Sequence, residues 1–384
     1  MAFRPRTPEE LRHRQKVGKL RVCTAMQFRE LVAKEGLGAA YGAIDVIAAG
    51  SCEFTDQGQI WLSLGPCDPP LRLRQALLGG VAASGGYGPS ELCLPIGAGL
   101  EHPKRRGGAH VLDQLLAGEE VALELQGEAT TLHPRRELQS QLQLKQLGTA
   151  RLLLSRAISE NGVVAVSSAE GLLPSPIGGL LGPFGNALFN CSGARSIGLT
   201  MPGLSQLGPG QPLLIAGSIG HVLGPGSGHQ PCCRRLPTGH ARAPGATVAA
   251  SVNLKGLQRR WIKPCWFDGH GAGLLIAVAA PVLLLTEGHA HQAATPDSSL
   301  EAPVLDFSVP RRIRPGFGSV SYGSLLGGKI QVDSHIVKAA PACSLSLGDS
   351  HTALLSQQLS DGSFPIRAWE APLAEDGSLH PIDP

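Results

Sequence analysis

The sequence is poor in charge, and the charge it has is nearly balanced. Asp, Glu, Lys and Arg make up 16% of the 384 residues, and the net charge is +3. So low a content argues against a disordered, solvating chain. The near balance leaves no basic stripe to follow a phosphate backbone, so nucleic acid is not expected as a partner. The nine cysteines contain no CxxC pair, which removes the knuckle pattern of structural zinc sites. The N-terminus is polar and charged where a secretory signal would be apolar. A cytoplasmic chain with reduced, free thiols is therefore expected.

Long apolar runs are also missing. The best candidate, Gly271 to Thr286, falls short of the roughly 18–20 apolar residues a spanning helix needs and is broken by Pro281. It reads as a buried strand pair or core segment, with no membrane role. The glycine-rich stretches Gly217-Ser218-Ile219-Gly220 and Gly224-Pro225-Gly226 lack the ordered strand, GxGxxG and helix of a dinucleotide site. A P-loop Lys-Ser/Thr is absent as well. No cofactor is expected, and no internal repeat is evident.

What is present is glycine and proline: 50 and 30 residues, scattered without a period. Such a chain makes many tight turns between short elements. Thr7-Pro8-Glu9-Glu10 predicts a helix start with Thr7 as cap, and Thr24 with Gln27 repeats that logic. Residues 44–50, an apolar run ending in Gly50 that leads into a turn, and residues 60–64 read as strands, with Cys52 in the turn after the first and Cys67 beyond the second. Residues 111–116 read as a helix, 121–125 as a strand, 137–147 as a polar helix, 290–302 as a polar break, 329–332 as a strand and 351–359 as a helix. The expected fold is α/β or α+β, a mixed sheet with many short strands and glycine-rich turns and with helices mainly in the N-terminal 150 residues. Residues 1–302 are expected to form the core and residues 303–384 a smaller C-terminal lobe of the same domain.

Several short motifs, in fixed order, carry a resemblance. They are Cys67-Asp68-Pro69-Pro70, Gly107-Gly108-Ala109-His110-Val111, His133-Pro134-Arg135, Gly182-Pro183-Phe184-Gly185-Asn186, Gly226-Ser227-Gly228-His229 and Pro244-Gly245-Ala246-Thr247. Ser308-Val309-Pro310-Arg311-Arg312, Val320-Ser321-Tyr322 and Gly328-Lys329-Ile330-Gln331-Val332 follow in the tail. In order and spacing the chain resembles a divergent member of the homocysteine biosynthesis family. The resemblance implies sulfur transfer into L-aspartate semialdehyde through a cysteine persulfide, giving homocysteine after reduction. It also implies a small ferredoxin-like protein as electron or sulfur donor. A homo-oligomer is the general expectation for such an enzyme.

Sulfur transfer needs a thiolate, favoured by nearby positive charge. The family's pattern has one cysteine in the turn after the first strand and one before a Tyr-Pro-Arg segment. Here those positions fall near Thr55 and at Leu132. Cys52 and Cys67 are the candidate replacements, against the reading that both are small packing residues. A non-catalytic ligand-binding or regulatory relative that has lost the relay is the alternative. His110, after Gly107 and Gly108 at a helix start, suits a substrate carboxylate or caps the helix. Arg135 could clamp a carboxylate or be solvated. Asn186 and His229 match the family and are expected at the substrate. His229, Cys232, Cys233 and His240 are close enough in sequence for zinc to be weighed, but adjacent cysteines rarely share one ion, and no metal site is expected.

Overall fold

The computed structural model describes residues 3–375 other than 87, 89, 101 and 311–313, so Arg311 and Arg312 of the tail motif lie outside the described residues. The helices are α1 (Pro8–Lys16), α2 (Ala25–Glu35), α3 (Leu37–Ala43), α4 (Gly108–Leu116), α5 (Ile197–Thr200), α6 (Glu287–Ala294), α7 (Tyr322–Leu326) and α8 (Leu345–Asp361). The strands begin with β1 (Val22–Thr24), β2 (Val46–Thr55), β3 (Gly58–Ser63), β4 (Leu73–Leu78), β5 (Val81–Ser84), β6 (Glu91–Pro95), β7 (Val121–Gly127) and β8 (Glu137–Leu142). The middle of the chain adds β9 (Ala150–Ser159), β10 (Val164–Val166), β11 (Gly171–Leu173), β12 (Leu180–Gly182), β13 (Ala187–Phe189), β14 (Pro212–Ile215), β15 (Ser218–Pro225) and β16 (Thr247–Asn253). Last come β17 (Ile262–Phe267), β18 (Gly271–Leu283), β19 (Glu301–Asp306), β20 (Gly316–Ser321), β21 (Lys329–Val332) and β22 (His335–Pro341).

Local chemistry starts the helices as the sequence predicts. Thr7 Oγ1 accepts from Glu10 N at 3.1 Å, with Pro8 in the first turn. Thr24 and Gln27 form a reciprocal capping box at 3.3 and 2.9 Å. Residues 271–283 of the apolar run form one long strand, β18. It pairs antiparallel with β2 from Leu274↔Thr55 to Leu283↔Val46. Buried on both faces, it has the continuous apolar character of a central strand.

The large sheet runs β1-β2-β18-β14-β15-β16-β9-β3-β6-β5-β4-β7-β8, with β17 also on β18. It is antiparallel except for β1 against β2. Asp56 and Gln57 join β2 to β3, and Ser155 N of β9 donates to Gln57 O at 2.9 Å. The sheet therefore curls until the end of β2 meets β9. A second sheet, β20-β19-β10-β13-β22-β21, interleaves strands from residues 164–189 with strands from residues 301–341. The expected C-terminal lobe thus shares its sheet with the middle of the chain. Four helices lie within the first 150 residues, while α8, the longest, lies near the other end and packs on β2 and β18.

Three local readings are corrected. Residues 137–147, expected as a helix, form β8 and a 3₁₀ turn at Leu144–Gln146. Leu138 and Leu142 are four apart, which fits one face of a strand as well as one face of a helix. Pairing with β7, from Gln126↔Glu137 to Val121↔Leu142, decides the outcome. Cys52 lies within β2, not in a turn. The glycine before it, Gly50, stays in the ladder opposite Ala279; a Cβ there would sit 2.5 Å from Thr352 Oγ1 of α8. Gly50 is thus a close-packing glycine. The polar stretch at 290–302 contains the end of α6, whose cap Thr286 accepts from His289 N at 3.3 Å. No helix among the described residues is long and apolar enough to cross a membrane.

Candidate functional site

Where β2 curls back toward β9, a cleft with about 690 Å³ of empty space opens between β2, β9 and β18. Its polar lining includes Ser51, Glu53, Thr55, Asp56, Arg156 and Asn190. Strand alternation puts Ser51, Glu53 and Thr55 on one face of β2. Burial pushes the Glu53 carboxyl up to about 7, against the opposing pull of a Ser51 hydrogen bond and the Arg156 charge. His270 Nε2 lies 3.0 Å from Oδ2 of the lining residue Asp56. Arg156 Nε donates to Ser227 O at 3.1 Å, which ties the Gly226–His229 motif to the cleft wall.

Thiols gather around Glu53. Cys343 forms an isolated antiparallel bridge with Glu53 on the edge of β2 away from β18. The neighbouring Ser344 N donates to Cys52 O at 2.8 Å, and Ala342 N donates to Phe189 O at 2.7 Å. This short segment joins the two sheets. Cys191, next to the lining residue Asn190, has its thiol 3.5 Å from Ser196 Oγ. The Tyr322 hydroxyl lies between Cys191 and Asn161 Oδ1, donating to the latter at 2.7 Å. The Cys343 thiol is within electrostatic reach of Glu53, Cys191 and Cys52.

All three thiols are held protonated. Burial pushes Cys52 up to about 12, and the Glu53 charge adds to it. Burial pushes Cys191 up to about 11, with Glu53 again adding and the Ser196 and Tyr322 hydrogen bonds opposing. Cys343 rises for the same first reason. No thiol is among the residues lining the cleft. Thr55, near which the resemblance puts a cysteine, does line it.

The residues singled out from sequence are dispersed. Of the two candidate cysteines, Cys52 belongs to the thiol cluster. Cys67 is half-buried in the loop after β3, its thiol directed to Pro69 O at 3.4 Å. Arg135 lies beside that loop, donating to Asp68 O at 2.6 Å. Leu132 is 78% exposed. Gly107 and Gly108 begin α4, and Gly107 N donates to His110 Nδ1 at 3.3 Å, so the histidine closes the helix start. A Cβ on Gly108 would lie 2.0 Å from Pro95 O, so glycine is required there by packing. Asn186 braces a turn, its amide bonded to Leu181 N at 2.7 Å and Gly179 O at 3.1 Å.

His229 is buried between Thr247 N at 3.0 Å and Ala374 O at 2.8 Å. The His240 ring is likewise bonded, to Thr238 Oγ1 and Leu199 O, and burial lowers it to about 4. Among the described residues no three His, Cys, Asp or Glu side chains are gathered as a metal site.

Sequence reasoning missed Glu53, Arg156, Cys191 and Cys343. Glu53 adjoins a residue that was singled out, but nothing in its local sequence marks it. The other three reach the site through pairings between distant parts of the chain.

Comparison with known proteins bears on the whole chain. Residues 20–366 match a family described as homocysteine biosynthesis enzyme, sulfur-incorporation. A protein of Methanocaldococcus jannaschii named L-aspartate semialdehyde sulfurtransferase is 26% identical over 375 residues, covering 94% of this chain and 71% of that one. A Methanosarcina acetivorans protein of the same name is 26% identical over 369 residues, covering 94% and 70%. No solved structure matches the chain.

Proposed function

Because the chain belongs to the family of sulfur-incorporating homocysteine biosynthesis enzymes, and is a sulfurtransferase, we propose that it inserts sulfur into L-aspartate semialdehyde to form homocysteine, with the semialdehyde held in the Glu53 cleft. The observation that carries this reading is the meeting of a cleft-lining carboxyl with Cys52, Cys191 and Cys343. Arg156 offers positive charge to the substrate carboxylate, and Asp56 offers negative charge to its ammonium group. In the net reaction sulfide sulfur replaces the aldehyde oxygen, which leaves as water. Two electrons come from an outside donor, for which a small ferredoxin-like protein is the proposed source.

The persulfide is assigned to Cys52, the sequence candidate within the cluster; its release as sulfide takes a further two electrons. A thiol raised to about 12 reacts only when the segment around Ser344 moves and lets water in. A second reading is favoured by Thr55, which lines the cleft: sulfur arrives as free hydrosulfide and attacks without a protein carrier.

Purified chain, semialdehyde, a sulfur source and a low-potential reductant should yield homocysteine by mass spectrometry. Absence of product with sulfide and with persulfide donors alike would end the assignment. Cys52→Ser separates the two routes. It should abolish persulfide-driven turnover and leave hydrosulfide-driven turnover intact.

A further inference from the structure

Sulfur addition to an aldehyde moves a proton as well as a sulfur atom. The carbonyl oxygen gains a proton as the carbon–sulfur bond forms, and the incoming sulfur loses one. The cleft has few groups able to do both. Arg156 does not release its proton near neutrality, and the Thr55 hydroxyl is too weak an acid. Tyr322 is wholly buried, engaged with Asn161, and raised well above its ordinary range. The Cys52, Cys191 and Cys343 thiols are raised by burial and do not line the cleft. Asp56 lines it too, but is bonded to His270. Glu53 lines it between Ser51 and Thr55, with Arg156 across from it on β9.

We propose that Glu53 is the proton shuttle of sulfur addition, giving its carboxyl proton to the aldehyde oxygen and recovering one from the sulfur nucleophile. This rests on the function proposed above. Hydrogen sulfide first gives a proton to the Glu53 carboxylate, leaving hydrosulfide and Glu53–COOH. Hydrosulfide sulfur then attacks the carbonyl carbon. The carbon–oxygen π bond breaks, and its electron pair takes the Glu53 proton. The product is the thiohemiacetal R–CH(OH)–SH and the carboxylate returns. No electron is gained or lost in this step. With a persulfide as nucleophile, R′–S–SH takes the place of hydrogen sulfide and the same proton moves.

The acid strength of Glu53 suits the task. A shuttle works best when its two forms are both populated at the working pH, and burial holds this carboxyl at about 7. The charged and titratable groups facing it are Arg156, Asp56, Cys52, Cys191, Cys343 and Tyr322. Arg156 favours the carboxylate, while burial, the larger influence, favours the acid.

The test is E53Q beside E53D in the full chain. Semialdehyde consumption and thiohemiacetal formation are followed by ¹³C NMR, with hydrosulfide held constant at each pH. Wild-type kcat/KM should fall as pH rises through about 7. E53Q should lose roughly 100-fold or more in kcat, lose that pH limb, and keep its KM and thermal midpoint at low pH. E53D should keep part of the rate and a shifted limb. Wild-type turnover with E53Q within threefold of it, or with the limb unchanged, overturns this role and leaves the proposed function standing. A wild-type chain that consumes no semialdehyde with any sulfur source overturns both.

Discussion

Two carboxylates stand eight positions apart, Asp45 just before β2 and Glu53 near its end, and their surroundings treat them in opposite ways. Asp45, fully buried, receives Arg14 Nη1 and Arg21 Nη2 at 2.7 Å, and Arg21 N and Nε at 3.0 Å. Arg6 adds its charge at 3.5 Å. Burial pushes the Asp45 carboxyl upward, but the Arg21 hydrogen bonds and the Arg21 and Arg14 charges outweigh it and hold it below its ordinary value. Glu53 is also pushed upward by burial, with one hydroxyl and one arginine against it, and burial wins. A carboxylate fully matched by charge holds structure together. One left under-matched keeps a proton that can be used.

Four changes probe that contrast. Asp45→Asn removes the common partner of three guanidinium groups, so the chain should lose about 3–5 kcal/mol of stability in urea titrations, with the activity of the surviving folded fraction unchanged. A loss below about 1 kcal/mol would mean that the three arginines are satisfied without it. Glu53→Gln should act on stability in the other direction. A carboxyl whose folded value is raised contributes stability that is fully present below its unfolded value of 4.5 and is lost as pH rises through about 7. The glutamine variant should therefore match wild type near pH 4 and exceed it at pH 8 by up to roughly 3 kcal/mol, read as the difference in urea midpoints.

Gly50→Ala would drive a methyl group into Thr352 Oγ1 and the Ala279 methyl. It should cost about 1–3 kcal/mol and loosen α8 over Cys52, seen as faster alkylation of that thiol. Cys67→Ser, in a half-buried loop away from both carboxylates, should change stability by less than about 0.5 kcal/mol and leave homocysteine formation intact. A collapse of activity there would transfer the sulfur chemistry to the Arg135 loop.

The parts of the fold legible in the sequence are those governed by neighbours a few residues apart. Thr7 and Thr24 announce their helices because capping is a local hydrogen bond. The run at 271–286 announces β18 because a strand buried on both faces is apolar throughout. Leu138 and Leu142 misled because their spacing suits two structures, and only β7 distinguishes them. Gly50 suggested a turn, whereas α8, some 300 positions later, is what requires a glycine there. The cleft is harder still to read. Cys52 drew attention as a thiol, but the neighbouring Glu53 is made a weaker acid by burial in the assembled fold, which Arg156 of distant β9 only partly opposes, and neither influence is local in sequence.

The bridge between Glu53 and Cys343 also sets a clock on the birth of the enzyme. Its two halves are about 290 residues apart in the chain. At roughly 5–20 residues per second of synthesis, the ribosome exposes the first half about 15–60 seconds before the second is made. Until then β2 has an open edge at Glu53, and the thiol cluster lacks Cys343. The junction between the two sheets at residues 342–344 therefore forms only after both halves have emerged.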